Sequence, residues 1–493
     1  MSQQVVFLVK NLYTMERLGV MQLSALALTQ GWQTDLIIAD GLDYQRLLNA
    51  VRRMNPSVLA LSVMSPEYPQ MRELARRLYA DTGVYILVGG PHATFFPDII
   101  EEPFIQAVAF GEGDISFPAF LDRFSRGEDY TRTAGMHFRA KGQAIRNAPA
   151  PLVEDLDSLP FADRRIMAKG NPLLASNPTH IFMASRGCPN ACTYCFNHTY
   201  NHMFRSCGKL FRRRSVDHLL REMEAVKAEF GMRFAYIDDD IFTFCSPEWL
   251  AEFTTEYPRR VGVPFMVNTH ANYINEHQIE QLRDAGCTVI CFGIECGDSG
   301  VAGDLLKRHI KPQQFLTLSR LLHRNKIRFM TQNILALPVP HPLAVDLQTL
   351  DLNIACRPQY AVAHLFYPLP GTELARYAEA AGFIGDSPTT GLPERTNSYS
   401  ALNFPDPREK RHVERLHKLF GIVVSFPWLR PVLPVLIRLP LGPFYALLFM
   451  AWYGFSMRFR MEKTRKTRAE LRFFIKSLLQ SLASFLKKQP TRS

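Results

Sequence analysis

Three cysteines stand within eight positions of the stretch "SRGCPNACTYCFN": Cys188, Cys192 and Cys195, spaced C-x3-C-x2-C. A structural zinc ion wants four ligands, usually supplied as two Cys or His pairs. Only one C-x2-C pair exists here, so zinc would need His198 or His202 to complete its shell. A [4Fe–4S] cluster normally takes four thiolates, and three from one loop leave one iron open to a small molecule. Disulfide pairing fits poorly. The N-terminus "MSQQVVFLVKNLY" has no basic segment ahead of an apolar one, which leads us to expect a cytoplasmic protein with reduced thiols. An odd count of nine cysteines agrees with that.

The elements around these cysteines follow from periodicity. At 493 residues the chain should divide into two to four domains, and its 47% hydrophobic and 21% charged composition is that of a folded protein. Apolar runs at 5–9, 34–39, 58–63, 84–90 and 106–114 suit buried parallel strands, with helical stretches such as "LGVMQLSALALTQG" between them. This alternation predicts a Rossmann-like doubly wound sheet over residues 1–150. Residues 151–178, which include "PAPLVEDLDSLPFADRR", read as a linker. Alternation resumes with strands at 180–185, 234–238, 264–270, 288–295, 328–337 and 360–366. Six β/α units over 179–390 predict a partial (β/α)6 barrel, whose chemistry belongs at the C-terminal strand ends. The three cysteines follow its first strand.

C-x3-C-x2-C with an aromatic, Tyr194, before the last cysteine, after the first strand of such a barrel, resembles the radical S-adenosylmethionine (SAM) superfamily. The resemblance covers about residues 175–385. It implies that Cys188, Cys192 and Cys195 hold a [4Fe–4S] cluster and that SAM chelates the open iron. It also implies that one electron, from a flavodoxin- or ferredoxin-like donor, cleaves SAM to a deoxyadenosyl radical that abstracts hydrogen. Tyr194, Asp239 and Glu295 are the residues it would assign to SAM. Asp239 is chosen from the run Asp238–Asp240 at the end of the second strand, one member of which also suits a cap for the next turn. Glu295 in "GIECGD" equally suits a structural role in its turn, and Gln332 and Asn333 are lesser candidates. Cys287, Cys291 and Cys296 straddle a strand and read as packing residues.

The sheet ahead of the barrel resembles the cobalamin-binding subfamily, on "LSVMSPEYPQMRELARRL", "LVGGPHATFFPDII" and "AFGEGD". The resemblance assigns Ser62, Ser65, Gly89, Gly90, His92, Gly111 and Gly113 to cobalamin, although such glycines also make ordinary βα turns. Where cobalt-ligating relatives carry D-x-H-x-x-G, this chain reads "KNLYTMERLG", so cobalamin would bind without that axial histidine.

Charge is concentrated at the far end. The net charge is +11, and eleven Lys or Arg against two Asp or Glu lie between Arg458 and Ser493. Ahead of them, 439–457 is uncharged, but Pro440, Gly442 and Pro443 break its start, which suits an interfacial segment or a barrel cap better than a spanning helix. Leu471, Phe474, Ile475, Leu478, Leu479, Leu482, Phe485 and Leu486 then fall on one face of a basic helix. Residues 391–493 are therefore read as a helical, apolar and basic extension that meets an anionic membrane surface, with no nucleic-acid role. The expectation is a cobalamin-dependent radical SAM C-methyltransferase on an apolar lipid, isoprenoid or tetrapyrrole substrate. The alternatives are a radical SAM cyclase or oxidoreductase without methyl transfer, and a non-catalytic iron–sulfur or zinc membrane adaptor.

Overall fold

The computed structural model describes residues 3–11, 16–384 and 399–461. They fall into two compact units, one of the described residues within 3–181 and 203–212, the other of those within 182–202 and 213–461.

The first unit holds five parallel strands, Gln4–Val9, Gln33–Ile38, Val58–Ser62, Ile86–Gly89 and Ala107–Ala109, in the order second, first, third, fourth, fifth. An antiparallel hairpin, Met136–Ala140 and Gln143–Ile145, extends the fifth-strand edge. Val5 to Val9 are buried because helices cover both faces, as an all-parallel core requires. The order reverses at the first strand, which pairs with the second on one side and the third on the other. Ligands of doubly wound sheets bind outside the strand C-termini at such a switch point.

Residues 163–176 are not a loose linker. Ile166, Met167 and Leu174 enter the core of this unit, and Asp163 accepts the Ser24 hydroxyl at 2.6 Å. Lys169 Nζ donates to the Thr34 carbonyl at 2.6 Å, and Gly170 lies so close to Leu36 that a Cβ would stand 2.7 Å from it. Apolar residues among the prolines give this stretch a face to bury, so it folds with the sheet.

The half-barrel sheet takes its six strands in chain order: Thr179–Phe182, Phe234–Ile237, Phe265–Thr269, Cys287–Glu295, Arg328–Leu335 and Tyr360–Leu365. Phe234, Met266, Val289, Cys291, Met330, Tyr360 and Val362 pack together, and Met461 joins them from the C-terminal region. Cys287, Cys291 and Cys296 are all buried.

The described part of the C-terminal region is not a separate domain; it belongs to the second unit. Helix Pro407–Ser425 lies on the sixth strand, where His417 Nε2 donates to the Ala363 carbonyl at 3.0 Å. Helix Gly442–Phe455 has 14 residues. Among the described residues no helix is long and apolar enough to cross a membrane. The basic amphipathic stretch at 471–486 lies outside the described residues.

Candidate active site

The cysteine loop leaves the first barrel strand through Ala184 and Ser185, and Asp239 fixes that departure. Its carboxylate accepts the Ala184 N–H at 2.6 Å, the Ser185 N–H at 3.1 Å and the Ser185 hydroxyl at 2.5 Å, with Arg213 Nη1 at 3.4 Å. Asp239 is wholly buried and both its oxygens are occupied. The residue expected to meet SAM is thus engaged in holding the loop. Its neighbours differ: Asp238 accepts Asn268 Nδ2 at 2.9 Å, while Asp240 is exposed and accepts Asn197 Nδ2 at 2.8 Å.

The loop itself is pinned from several sides. Thr193 Oγ1 donates to the Leu305 carbonyl at 2.6 Å, and the Thr193 carbonyl accepts the Leu374 N–H at 2.9 Å. Asn201 Nδ2 donates to the Cys188 carbonyl at 2.9 Å, and Tyr273 donates to Asn190 Oδ1 at 3.3 Å. Burial, chiefly, pushes Cys188 up to about 11 and Cys195 up to about 12. Neighbouring thiols help to raise the pKa of Cys188 and of Cys195. Among the described residues no three His, Cys, Asp or Glu side chains close on a point that could hold one metal ion. That gives no ready zinc site, and His198 Nε2 instead lies 3.7 Å from the Glu373 carboxylate. Cluster thiolates each take a different iron and need no common point.

Beside Cys192 lies a residue the sequence did not single out. Arg308 is buried; its Nη1 lies 3.8 Å from Cys192 Sγ and 3.3 Å from the Tyr194 hydroxyl, and its Nη2 donates to the Gly293 carbonyl at 2.7 Å. Arg308 Nε is buried without a hydrogen-bond partner among the described residues. Glu295 completes the group. Burial raises its pKa, opposed by the charge of Arg308 and a hydrogen bond with Tyr194. Its φ of +64° is left-handed, a strained state for glutamate. A Cβ on Gly293 would collide with the Glu295 carboxylate, so that glycine is needed for the side chain to fold back. The rest of "GIECGD" is structural: a Cβ on Gly297 would stand 2.6 Å from the Gln348 carbonyl oxygen, and Asp298 accepts the Gly300 and Val301 N–H groups at 3.0 Å. Asn333 is also structural, fully buried and donating to the Val362 carbonyl at 2.8 Å.

In the first unit, Ser62 and Gly89 end adjacent strands in register. A Cβ on Gly89 would meet nothing nearer than Ala109 at 3.8 Å, so this strand end has room. The other glycines answer to the chain itself. At Gly90, with φ +90°, a Cβ would stand 2.9 Å from the Val63 nitrogen; at Gly111, with φ +86°, 3.0 Å from the Phe204 ring; at Gly113, with φ +83°, 3.2 Å from Leu23. The void beside Gly111 and Gly113 is about 10 Å³, room for one water. Glu112 is paired there with Arg212, which also donates to the Val153 carbonyl at 2.9 Å. The "GEGD" turn is thus packed closely by Phe204 and Leu23. His92 is buried, stacked 4.0 Å from the Tyr68 ring, with Nδ1 bonded to Ser65 Oγ at 3.1 Å and Nε2 unpartnered among the described residues.

Residues 5–121 match the B12 binding domain family, and residues 183–341 match the Radical SAM superfamily. The chain belongs to the radical SAM superfamily, in its B12-binding branch. Its cofactors are a [4Fe–4S] cluster, SAM and cobalamin. This radical SAM enzyme is 24% identical over 358 residues to an uncharacterized methyltransferase, PH0819, of Pyrococcus horikoshii, across 70% of this chain and 74% of that one. It is 22% identical over 415 residues to the cytidylyl-2-hydroxyethylphosphonate methyltransferase of Streptomyces wedmorensis, across 75% of each. Its fold matches the cobalamin-dependent radical SAM enzyme OxsB, solved with aqua-cobalamin and SAM bound, at a TM-score of 0.68 and 13% identity, over 99% of this chain and 82% of that one.

Three soft thiol donors on a braced loop, with a guanidinium beside one of them, suit the cluster of a radical SAM enzyme. The unpartnered Arg308 Nε and the buried Glu295 suit a zwitterion with one carboxylate and one amine. Arg308 was missed because it follows Glu295 by thirteen residues with no spacing rule to mark it. In "GDLLKRHI" it stands between Lys307 and His309, and nothing local sets it apart from them.

Proposed function

We propose that this chain is a cobalamin-dependent C-methyltransferase acting on an unactivated carbon of an apolar substrate at a membrane surface. The observation that carries the reading is the braced three-cysteine loop beside Arg308, Glu295 and Tyr194 in a chain that also has a B12-binding domain. Cys188, Cys192 and Cys195 would hold the cluster. Arg308 would meet the SAM carboxylate and Glu295 its amine, with Tyr194 orienting both. Asp239 acts through the backbone it holds. On the first unit, Ser62, Ser65, Gly89 and His92 are the candidates toward cobalamin, with Gly90 shaping their turn.

When bound, these cofactors supply a hydrogen-abstracting radical and a transferable methyl group. The chain's residues contribute position and desolvation. Arg308 places a positive charge beside the Cys192 sulfur, on the side where a thiolate-bound cluster would carry negative charge. Burial of Glu295 and Arg308 makes their charges count for more than they would in water. The curated relatives named above are methyltransferases, which supports methyl transfer over cyclisation or oxidation. The apolar substrate, the inner membrane face and the flavodoxin- or ferredoxin-like donor belong to this proposal, supported by the uncharged 439–457 run and the basic stretch behind it.

The test is anaerobic purification with cobalamin supplied, then reaction with SAM and a strong reductant. We expect about four irons and about one corrinoid per chain. Both 5′-deoxyadenosine and S-adenosylhomocysteine should form, the second only when corrinoid is present. Deoxyadenosine alone from corrinoid-loaded enzyme with its product formed would rule out methyl transfer.

A further inference from the structure

Eleven of the eighteen large apolar side chains exposed among the described residues lie between Phe426 and Phe459. Trp428 is 72% exposed, Val435 59%, Leu447 54% and Phe444 53%. This is far more than scattered surface apolarity. Helix Gly442–Phe455 carries no charged residue on any face. Its inward side is accounted for by Tyr445, which packs in the core and donates to the Leu436 carbonyl at 3.0 Å. Phe444, Leu447, Ala451 and Phe455, at i, i+3, i+7 and i+11, form a second apolar stripe that stays exposed. A helix apolar all round needs cover on both sides, and here one side lacks it.

The charge beside this face says what the cover is. Seven Lys or Arg against two Asp or Glu lie between Pro407 and Leu441. Arg415 Nη1 donates to the carbonyls of Ile437 at 2.9 Å and Arg438 at 3.1 Å, which ties the cationic helix to the start of the apolar face. The charges of Arg415, Arg438 and Arg411 are all felt at His412, with Asp406 opposing them. The 14-residue helix would span about 21 Å at 1.5 Å per residue, short of the roughly 30 Å hydrocarbon core, so it can lie in a bilayer surface but cannot cross it.

We infer that residues 426–459 form a monotopic platform that seats its apolar face in the acyl boundary of an anionic bilayer, with Arg411, Arg415 and Arg438 on the headgroups. The inference rests on the membrane part of the proposed function and gives it a location distinct from the tail at 471–486. Trp428, the most exposed of these side chains, has an amphipathic ring that suits the headgroup level.

The experiment uses the full-length holoenzyme with vesicles of phosphatidylglycerol and phosphatidylcholine, and with phosphatidylcholine alone, some carrying brominated acyl chains. We expect the protein to sediment with the anionic vesicles and its tryptophan emission to be quenched by bromine. Trp428→Phe should bind but lose most of the quenching. The double variant Phe444→Glu/Leu447→Glu should bind about tenfold more weakly, with iron content and circular dichroism unchanged. A chain ended after Met461 should keep most of its binding. No sedimentation of the wild type would overturn both the platform and the membrane reading. Undiminished binding by the double variant, or complete loss on removing 462–493, would overturn the platform and leave a tail-borne membrane reading standing. A dimer that the double variant converts to monomer, without vesicle binding, would assign the face to a second copy and overturn the inference.

Discussion

At the strand ends of the half-barrel the candidate cofactor residues are buried charges; at the strand ends of the N-terminal sheet they are mostly glycines. Asp239, Glu295 and Arg308 are each less than a tenth exposed, and each is tied to the cysteine loop or to a neighbour of it. Gly89, Gly90, Gly111 and Gly113 bring no charge, and three of the four are needed because another part of the chain fills the space a side chain would take. A buried ion is stable only with its partners in place, so the half-barrel site is held by mutual dependence. The glycine ends depend on close packing and backbone shape, not on paired charge. Chemistry that must hold a polar cofactor at fixed distance is better served by the first arrangement, and contact with a large ligand by the second.

The largest effect that would test this contrast falls on the cysteines. Replacing Cys188, Cys192 or Cys195 by Ala should remove most of the iron and reduce deoxyadenosine formation by roughly 10³-fold or more, since the cluster loses one of three thiolates. Retention of four irons by any of the three variants would remove that cysteine from the site. Gly111→Ala, by contrast, should leave the iron content alone.

Next comes Arg308→Met. It leaves Glu295 buried without its countercharge, which costs about 3 kcal/mol or more. Urea unfolding of the apoprotein reads this directly. Adding Glu295→Gln should restore most of the loss, because the uncompensated charge is then gone. If the double variant is no more stable than the single one, the two residues are not coupled as described.

Acid should separate the units by smaller amounts. His92 in the first unit is buried and its pKa is pushed down to about 4. The unfolded imidazole takes its proton near 6.5 while the folded one stays neutral, so unfolding binds a proton between those values. Stability is therefore intact above pH 6.5 and falls on acidification towards pH 4, by about 3 kcal/mol in all. His92→Gln should flatten that part of the stability profile. In the half-barrel His270 is pushed down to about 3, by burial and then by the charge of Arg308, so its loss should extend to lower pH.

The sequence already carried most of the fold, because parallel strands buried on both faces appear as continuous apolar runs that need no partner to be recognised. The cysteine triad was legible for a similar reason: its spacing is local. What could not be read depended on contacts far apart in the chain. Asp238, Asp239 and Asp240 are one residue type in a row, and only the approach of Ala184 and Ser185 selects Asp239 for the loop. The partner of Gly111 is Phe204, ninety-three residues on, and nothing near "GEGD" announces it. Gly90 and Gly89 look equivalent in "LVGG", yet a Cβ on one would press on the Val63 backbone while on the other it would only reach ordinary contact with Ala109.

That last pair gives the smallest and most discriminating test. Gly90→Ala adds a methyl 2.9 Å from the Val63 nitrogen at a φ of +90° and should destabilise the first unit by about 1–3 kcal/mol. Gly89→Ala has room against the protein and should change stability by no more than about 0.5 kcal/mol. Its effect should appear in corrinoid content instead, if the strand end at Ser62 and Gly89 is where the ligand comes close. A Gly89→Ala protein that keeps both its stability and a full corrinoid complement would move the contact elsewhere on the switch-point edge. One that keeps its stability and loses corrinoid would show that of two adjacent glycines one serves the fold and the other the ligand.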